Sequence, residues 1–341
     1  MTAPPAPHER ALHDPSREAL PMIQAKGLAK TFHTKQGRVE AVAGVDFTVN
    51  AGEIVGFLGP NGAGKTTTMR MLTTLLGPSS GTATIAGCDL LQEAVKVRRH
   101  IGYVSQAGGS KPSSPVRRDI VLQARLYGMS RPEAEARADE VIAQLGLEEL
   151  ANRVIQTLSG GQRRRVDMAL GLVHEPKLLF LDEPTANLDP ESRNGVWEHI
   201  RRLRDEHGTT VFLSTHYLDE ADNLCDRVLI IDKGRIIAED SPQNLKAAIA
   251  HDTIEIGVDG DAARAADLIG AHPEVHGVSV DGTALSVSCR GAERILADLL
   301  RELETAYIRA QSLRLAKPSL DDVFMTMTDR RPQQDTDAVH A

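Results

Sequence analysis

The sequence is poor in the features that mark secreted and membrane-spanning proteins. Its three cysteines, Cys88, Cys225 and Cys289, lie far apart and form no C-x-x-C pair. This spacing argues against a zinc site and suits a reducing compartment. No apolar run approaches the roughly 18 residues that a membrane-spanning helix needs. Residues 1–20 lack the apolar segment of a secretory signal, so we predict a flexible tail there and a second one over residues 331–341.

The sequence also lacks an excess of positive charge. The chain has 39 Lys and Arg residues against 47 Asp and Glu residues, which gives a formal net charge of −8. The basic surface that nucleic acid requires is therefore absent overall, and we expect no nucleic-acid partner. A hydrophobic share of 41% and a charged share of 25% are typical of a soluble globular protein. The length of 341 residues suggests two domains and is ample for a buried core.

A glycine-rich stretch organises the chain. It reads Gly59-Pro60-Asn61-Gly62-Ala63-Gly64-Lys65-Thr66, which is the G-x-x-x-x-G-K-T pattern of a phosphate-binding loop. A strand-like run over residues 53–58 precedes it, and apolar residues with helical spacing follow over 67–76. This order aims backbone N–H groups and the positive end of a helix at an anion. Lys65 can reach the β- and γ-phosphates, and the Thr66 hydroxyl can bind Mg²⁺. The alternative is a glycine-rich turn before a core helix.

Two acidic residues and a histidine follow strand-like runs further along the chain. Asp182 ends a buried apolar run, where a carboxylate can hold Mg²⁺ directly or through water. Glu183 comes next, and a carboxylate there can accept a proton from, or orient, the water that attacks the γ-phosphate. His216 follows the run 209–215 and can hydrogen-bond the γ-phosphate. The alternative for Asp182 and Glu183 is a pair of strand-end acids that cap a helix.

A second anion-binding helix start is predicted at Ser159-Gly160-Gly161-Gln162. The helix that it opens carries three consecutive arginines, Arg163, Arg164 and Arg165. We predict that these arginines form a solvated helix face rather than phosphate ligands.

The order of the predicted elements indicates an α/β fold of the P-loop NTPase type over residues 21–250. Within it, residues 107–172 form a mainly helical insertion, with helices over 117–127 and 131–145. A smaller domain over 251–330 has the order β-α-β-β-α-β of a ferredoxin-like fold. A last helix carries Leu320, Val323, Phe324 and Met327 on one face.

Taken together, these motifs resemble those of the ATP-binding subunit of an ABC transporter. The resemblance covers residues 22–246, and its motifs occur in the order of that family. They are Walker A at 59–66, the Q-loop Gln106, the signature at 158–162, Walker B ending in Asp182 with the adjacent Glu183, the D-loop at 187–190 and the switch histidine His216. The resemblance implies an ATPase with the ABC cassette fold that uses ATP and Mg²⁺.

The resemblance also implies a role for each matched residue. Phe32 matches the A-loop aromatic that stacks on adenine; from the residues alone, an edge-strand core position is equally possible. The catalytic residues implied are Glu183, His216, Gln106 and Asp189. The nucleotide-binding residues implied are Phe32, Gly59, Pro60, Asn61, Gly62, Ala63, Gly64, Lys65, Thr66, Thr67, Ser159, Gly160, Gly161 and Gln162. The metal ligands implied are Thr66, Gln106 and Asp182.

Partners follow from the same resemblance. Two such subunits pair head to tail, so that Ser159 and Gly161 of one copy contact the γ-phosphate bound by a second copy, in an isologous dimer. The segments 159–167 and 317–324 are similar to those of the daunorubicin-resistance type of drug-exporter ATPase. This similarity implies a separate transmembrane permease and a peripheral position on the cytoplasmic face of the cell membrane.

Two stretches depart from the family pattern, and two other functions stay open. The loop 107–119 lacks the common Leu-Thr-x-x-Glu-Asn stretch, and Asn187 stands where a small residue, often glycine, is frequent. One alternative is an exporter ATPase for lipid or polysaccharide. The other is a soluble ABC ATPase that acts on the ribosome or DNA. Proteins of that second kind usually carry two ATP domains or long coiled coils, whereas this chain has one P-loop and no long heptad run.

Overall fold

The computed structural model describes residues 21–35, 37–248, 252–316 and 319–328. The two predicted tails, 1–20 and 331–341, lie outside these ranges. Across the described ranges, no helix has both the length and the apolar character that crossing a membrane requires.

The strands, in chain order, are β1 Ile23–Thr34, β2 Gly37–Val49, β3 Ile54–Leu58, β4 Ser80–Ile85, β5 Cys88–Asp89, β6 Ile101–Val104, β7 Leu178–Asp182, β8 Thr210–Thr215, β9 Arg227–Asp232, β10 Arg235–Asp240, β11 Asp252–Asp259, β12 Val275–Asp281, β13 Ala284–Cys289 and β14 Arg309–Ala316. The α-helices are α1 Lys65–Leu72, α2 Ala94–His100, α3 Val116–Leu126, α4 Arg131–Gln144, α5 Gly160–Leu172, α6 Pro190–His207, α7 Leu218–Leu224, α8 Pro242–Ala248, α9 Ala262–Gly270, α10 Ala292–Thr305 and α11 Leu320–Thr328.

A six-stranded sheet in the order β10-β9-β3-β8-β7-β6 lies at the centre of the α/β unit. Its strands run parallel except for β10, which pairs antiparallel with β9. Every residue of β3 and β7 is buried. Such continuously apolar strands suit the middle of a parallel sheet that is covered on both faces. The strands predicted before the P-loop, before Glu183 and before His216 are confirmed, apart from small shifts at their ends.

The parallel arrangement places the carboxyl ends of the central strands at one edge of the sheet. The P-loop follows β3, Glu183 follows β7, and His216 follows β8. Gln106 lies just beyond β6, which pairs with β7. The topology therefore brings motifs that are far apart in the sequence to one place.

An aromatic cluster packs one face of the central sheet against the antiparallel sheet β2-β1-β4-β5. The Phe212 ring lies 5.7 Å from Phe47, 5.6 Å from Phe57 and 5.7 Å from Phe180, measured between centroids. Offset and edge-on aromatic contacts of this kind favour a single packing of the core.

Residues 107–172 contain α3, α4 and α5, which contribute to a second core cluster on the other face of the central sheet. The helices predicted over 117–127 and 131–145 are observed as α3 and α4. The start of α4 is fixed by a capping box, in which the Ser130 N–H donates to Glu133 Oε2 over 2.7 Å.

The residues from β11 to β14 form a separate four-stranded sheet in the order β12-β13-β11-β14, and all its pairs are antiparallel. Residues of α9 and α10, including Ile269 and Leu299, share a buried cluster with Ile254 and Ile256 of β11. The predicted β-α-β-β-α-β order and its ferredoxin-like fold are confirmed.

Helix α11 does not belong to that smaller cluster. Its Leu320 and Val323 are buried in the core cluster of the α/β unit, and α11 contacts α7 and α8. Phe324 is partly buried against the same cluster, whereas Met327 is 38% exposed. The four residues share one face of the observed helix, as predicted, and this face is covered at Leu320, Val323 and Phe324 and more exposed at Met327.

Candidate active site

The P-loop wraps around the amino group of Lys65. Lys65 Nζ donates to the carbonyl oxygen of Gly59 over 2.6 Å and to that of Pro60 over 3.1 Å. Gly64 has a φ of 110°, and a Cβ there would lie 2.6 Å from the carbonyl oxygen of Ala41. Only glycine fits this position, because both the backbone conformation and the space exclude a side chain. Helix α1 begins at Lys65, two residues before the predicted start, so Lys65, Thr66 and Thr67 form its first turn.

The Asp182 carboxylate is buried and held from two sides. Ser214 Oγ donates to Asp182 Oδ1 over 2.6 Å, and Thr66 Oγ1 donates to the same oxygen over 3.2 Å. The Tyr103 hydroxyl lies 3.5 Å from Oδ2. Burial and the charge of Asp182 raise the pKa of Tyr103 to about 12, so the phenol stays protonated. A hydroxyl and a carboxylate side by side are the oxygen donors that Mg²⁺ prefers, and these residues therefore fit the metal.

Three other predicted site residues lie within 4 Å of the Glu183 carboxylate. Gln106 Nε2 donates to Glu183 Oε2 over 2.8 Å. His216 Nδ1 lies 3.3 Å from Oε1, and Lys65 Nζ lies 3.9 Å from the same oxygen. The contact with His216 lowers the pKa of Glu183, burial opposes this, and Lys65 adds to the lowering. Glu183 is therefore ionised at neutral pH and can accept a proton.

The backbone of Glu183 is in the left-handed region, with a φ of 46°. Its N–H donates to both the carbonyl oxygen and the Oγ of Ser214, each over 3.1 Å. A non-glycine residue in this conformation costs of order 1–3 kcal/mol, and such strain is concentrated at functional sites. The sequence gives no signal of it.

A cleft of about 450 Å³ opens beside this cluster. The predicted residues that line it are Asn61, Gly62, Gly64, Lys65, Thr66, Thr67, Gln106, Glu183 and His216. Asn187 of the predicted D-loop lines it as well, and sequence reasoning missed three further lining residues, which are Ala41, Ala186 and Tyr217. Ala186 directly precedes the predicted D-loop and Tyr217 directly follows His216, so the neighbouring motifs are the signal that could have found them, whereas Ala41 lies on β2 and has no such signal.

Several predicted residues do not line this cleft among the described residues. Gly59 and Pro60 instead accept hydrogen bonds from Lys65 through their carbonyl groups, and Ala63 and Asp182 are buried. Phe32 is on β1, where the residue is 37% exposed and its ring centroid lies 5.4 Å from Lys30 Nζ. Its stacking on adenine stays a prediction.

The signature residues lie at the start of α5, outside the cleft. Ser159 caps the helix by accepting from the Gln162 N–H over 3.3 Å, and Gln162 Oε1 accepts from the Ser159 N–H over 3.1 Å. Gly160 and Gly161 pack against the D-loop side, because added Cβ atoms would meet Leu188 at 3.0 Å and Ser192 at 2.9 Å. Asp189 caps α6 by accepting from the Ser192 N–H over 2.9 Å, and its catalytic role stays a prediction.

Two protein families match the chain. The family described as ABC transporter matches residues 42–186, and the one described as ATP-binding protein DrrA1-3-like, C-terminal domain matches residues 241–328. The chain belongs to the ATP-binding subunits of ABC transporters. It is therefore an ATPase, and it carries the DrrA-like C-terminal domain.

Relatives of this ABC ATPase match it over most of their length. The daunorubicin/doxorubicin resistance ATP-binding protein DrrA of Streptomyces peucetius is 42% identical, over 90% of this chain and 92% of that protein. The linearmycin resistance ATP-binding protein LnrL of Bacillus subtilis is 35% identical, over 91% and 99%. A solved dimeric ATP-binding cassette bound to ADP and Pi has a TM-score of 0.59 and 28% identity, over 64% of this chain and 98% of that one. These matches agree with a subunit that energises an exporter, and they favour neither a lipid or polysaccharide cargo nor a ribosome or DNA target.

One prediction about this ABC ATPase is wrong. Arg163 is exposed, as expected for a solvated face, but Arg164 is only 7% exposed. Arg165 is half-buried and donates to the carbonyl oxygens of Leu145 and Gly146, each over 3.2 Å. The three arginines point in different directions because successive residues on a helix are about 100° apart.

Proposed function

We propose that this ABC ATPase energises the export of a drug or antibiotic through a separate permease. Support for the cargo class comes from the names of its relatives, which include daunorubicin/doxorubicin and linearmycin resistance proteins. A match over about nine-tenths of both chains means that the C-terminal domain is shared with these relatives as well.

The contacts of Gln106, His216 and Lys65 with the Glu183 carboxylate support the proposed mechanism of hydrolysis. Glu183 takes a proton from the water that attacks the γ-phosphate, because its carboxylate is ionised and faces the cleft. Gln106 and His216 hold this carboxylate in one orientation. Lys65 moves its amino group from the carbonyl oxygens of the P-loop to the phosphates when the nucleotide binds. Thr67 and the first turn of α1 present backbone N–H groups to the phosphates.

Thr66 and Asp182 would hold Mg²⁺, with Gln106 as the third expected ligand. Their oxygens already lie together, because Thr66 Oγ1 is 3.2 Å from Asp182 Oδ1. The metal supplies neutralisation of the charge that builds up between the β- and γ-phosphates. Ser214 keeps the Asp182 carboxylate pointed at Thr66.

A second copy completes the site. Ser159 and the glycines after it form a capped helix start that can bind an anion, but they lie outside the cleft of their own chain. A head-to-tail dimer brings this helix start onto the nucleotide held by the partner, and two-fold symmetry then builds two equal sites. A solved cassette that this chain resembles is dimeric.

The permease partner is expected to contact the helical region. Leu122 and Leu126 lie one turn apart on α3 and are 54% and 74% exposed. Large apolar side chains that share one exposed helix face favour contact with another protein. We propose that the chain binds the permease there as a peripheral subunit at the cytoplasmic face of the membrane.

Mixed dimers test the shared site directly. Lys65→Ala removes the phosphate contact, whereas Ser159→Asp keeps a good helix cap and adds a charge that repels phosphate. Each variant alone should be inactive. When equal amounts of the two variants are mixed, random pairing makes about half of the dimers mixed. Each mixed head-to-tail dimer has one site built from the intact P-loop of one chain and the intact signature of the other, so activity should return. A mixture that stays as inactive as its parents contradicts the shared site.

A further inference from the structure

Arg164 joins the signature helix to the two strand ends that carry Gln106 and Glu183. Its Nη1 donates to the carbonyl oxygen of Ser105 over 2.6 Å, and its Nη2 donates to that of Asp182 over 2.9 Å. The side chain is 7% exposed, and its Nε has no hydrogen-bond partner among the described residues. Both terminal nitrogens of the guanidinium therefore donate to these two carbonyl groups.

Each of these carbonyl groups belongs to the peptide unit that precedes a site residue. The Ser105 carbonyl shares its peptide plane with the Gln106 N–H, and the Asp182 carbonyl shares its plane with the Glu183 N–H. The second plane is held at both ends, because the Glu183 N–H donates to Ser214 while the carbonyl accepts from Arg164. A peptide plane fixed in this way holds the φ of Glu183 at its left-handed value of 46°.

We propose that Arg164 is a positioning residue for ATP hydrolysis, which fixes the peptide groups before Gln106 and Glu183 so that their side chains meet. This inference rests on the proposed role of Glu183 as the proton acceptor. Arg164 touches neither the nucleotide cleft nor the reacting atoms. It acts through the 2.8 Å contact between Gln106 and Glu183.

A second side chain of the same helix supports the link. Asp167 Oδ1, almost one turn after Arg164, accepts from the N–H groups of Gly109 and Ser110, each over 2.9 Å. A Cβ at Gly108 would lie 2.5 Å from Asp167 Oδ2, so the loop after Gln106 lies directly on this carboxylate. Helix α5 therefore holds this loop at two points. Since α5 begins at the signature, a partner that engages Ser159 also acts on the helix that positions Gln106 and Glu183.

The site requires arginine rather than another cation. Burial lowers the pKa of Arg164, although the nearby Asp167, Asp182 and Glu220 favour its charged form. Arginine reaches the two carbonyl groups through two separate nitrogens of one rigid plane, whereas lysine has a single nitrogen on a flexible stem and lacks this fixed fork. Arg164→Lys therefore keeps the positive charge but removes the pair of nitrogens that donate to the Ser105 and Asp182 carbonyl groups.

Arg137 provides a matched control. It is also an arginine of the helical region that donates to two backbone carbonyl groups, those of Val173 and Leu172, over 3.0 and 3.1 Å. These carbonyl groups lie at the far end of α5, away from the cleft. Arg137→Lys removes the same kind of contact without reaching Gln106 or Glu183.

The experiment compares both variants in the full-length chain. We expect Arg164→Lys to lower kcat by about 10²-fold, because a small displacement of a catalytic group has an effect of this size. Binding of a fluorescent ATP analogue and the melting temperature should match those of Arg137→Lys, whose kcat should stay near that of the wild type. An equal fall of kcat in both variants, or no fall in Arg164→Lys, overturns the inference.

A double variant separates positioning from general destabilisation. If Arg164 acts through Glu183, Arg164→Lys should have little further effect on the residual turnover of Glu183→Gln, since two groups that act as one unit are not additive. A full additional loss in the double variant contradicts the inference. Wild-type turnover and its loss in Glu183→Gln test the proposed function independently. If Glu183→Gln retains turnover, the proposed role of Glu183 as the proton acceptor fails; if only Arg164→Lys retains it, this inference alone fails.

Discussion

Gln106 and Glu183 are joined by a 2.8 Å hydrogen bond, in which the amide Nε2 donates to the carboxylate Oε2. The two residues follow the neighbouring parallel strands β6 and β7. The other carboxylate oxygen of Glu183 faces His216 and Lys65. Each oxygen therefore has partners of its own, and rotation of the carboxylate breaks contacts on both sides. A water molecule that reaches Glu183 meets a proton acceptor fixed in one orientation.

Replacing Glu183 with glutamine is expected to lower ATP turnover by about 10²- to 10⁴-fold, the usual contribution of a general base. The amide keeps the size of the side chain but accepts no proton, so ATP binding should persist and the dimer should accumulate. Phosphate release, equilibrium ATP binding and sedimentation measure the three effects. The exposed Glu149→Gln is the matched control. Unchanged turnover removes Glu183 from the mechanism.

Replacing Lys65 with alanine is expected to weaken ATP binding by about 10- to 100-fold, because a hydrogen bond to a charged group contributes about 1.5–3 kcal/mol. Among the described residues, the buried amino group donates to two P-loop carbonyl groups and lies 3.9 Å from the Glu183 carboxylate. Calorimetric titration with ATP measures the change. Lys96→Ala, which removes an exposed lysine paired with Glu93, should bind like the wild type. Wild-type affinity in Lys65→Ala contradicts its role at the phosphates.

Asn187 has a φ of 60°, which explains why asparagine replaces the glycine that is frequent at this position. Both residues tolerate the left-handed region, whereas alanine there costs about 1–2 kcal/mol. Asn187→Gly should therefore be more stable than Asn187→Ala by about that amount, as measured by urea unfolding. Both variants lose the side-chain amide, so the difference between their free energies of unfolding reports the cost of the left-handed backbone conformation. Equal stability would show that the loop relaxes out of this conformation.

The parts of the fold and site that the sequence predicts are those set by local rules. The P-loop and the anion-binding start of α5 are encoded by neighbouring residues, and the order of strands then places Gln106, Glu183 and His216 at one edge. The burial of Arg164 was not predictable, because a run of three arginines does not show which one faces the interior. The strained φ of Glu183 depends on Ser214 and Arg164, which lie far away in the sequence. Local patterns carry no information about such distant partners.

The buried Glu220 should make stability depend on pH in an unusual direction. Burial raises its pKa, although Trp197 Nε1 and Thr185 Oγ1 both donate to Oε1, over 2.9 and 2.8 Å. Because the folded pKa lies above the unfolded value of about 4.3, the folded state holds its proton longer and stability falls as pH rises through this range. Glu220→Gln removes the ionisation.

We therefore expect the stability of Glu220→Gln relative to the wild type to increase between pH 4 and pH 8. Urea unfolding at both pH values measures the difference, and the exposed Glu149→Gln should show no such trend. A relative stability of Glu220→Gln that is constant or falls with rising pH contradicts the raised pKa.

The core cluster that holds Leu320 and Val323 also holds residues of β3, β7 and β8. A ribosome releases a chain from its amino end, so residues 21–248 emerge and begin to fold before α11 has been made. During synthesis, the apolar surface of α7 and α8 that α11 covers is in contact with water. A chaperone that binds exposed apolar surface therefore has a defined target on the nascent protein, and this target disappears when residues 320–328 arrive.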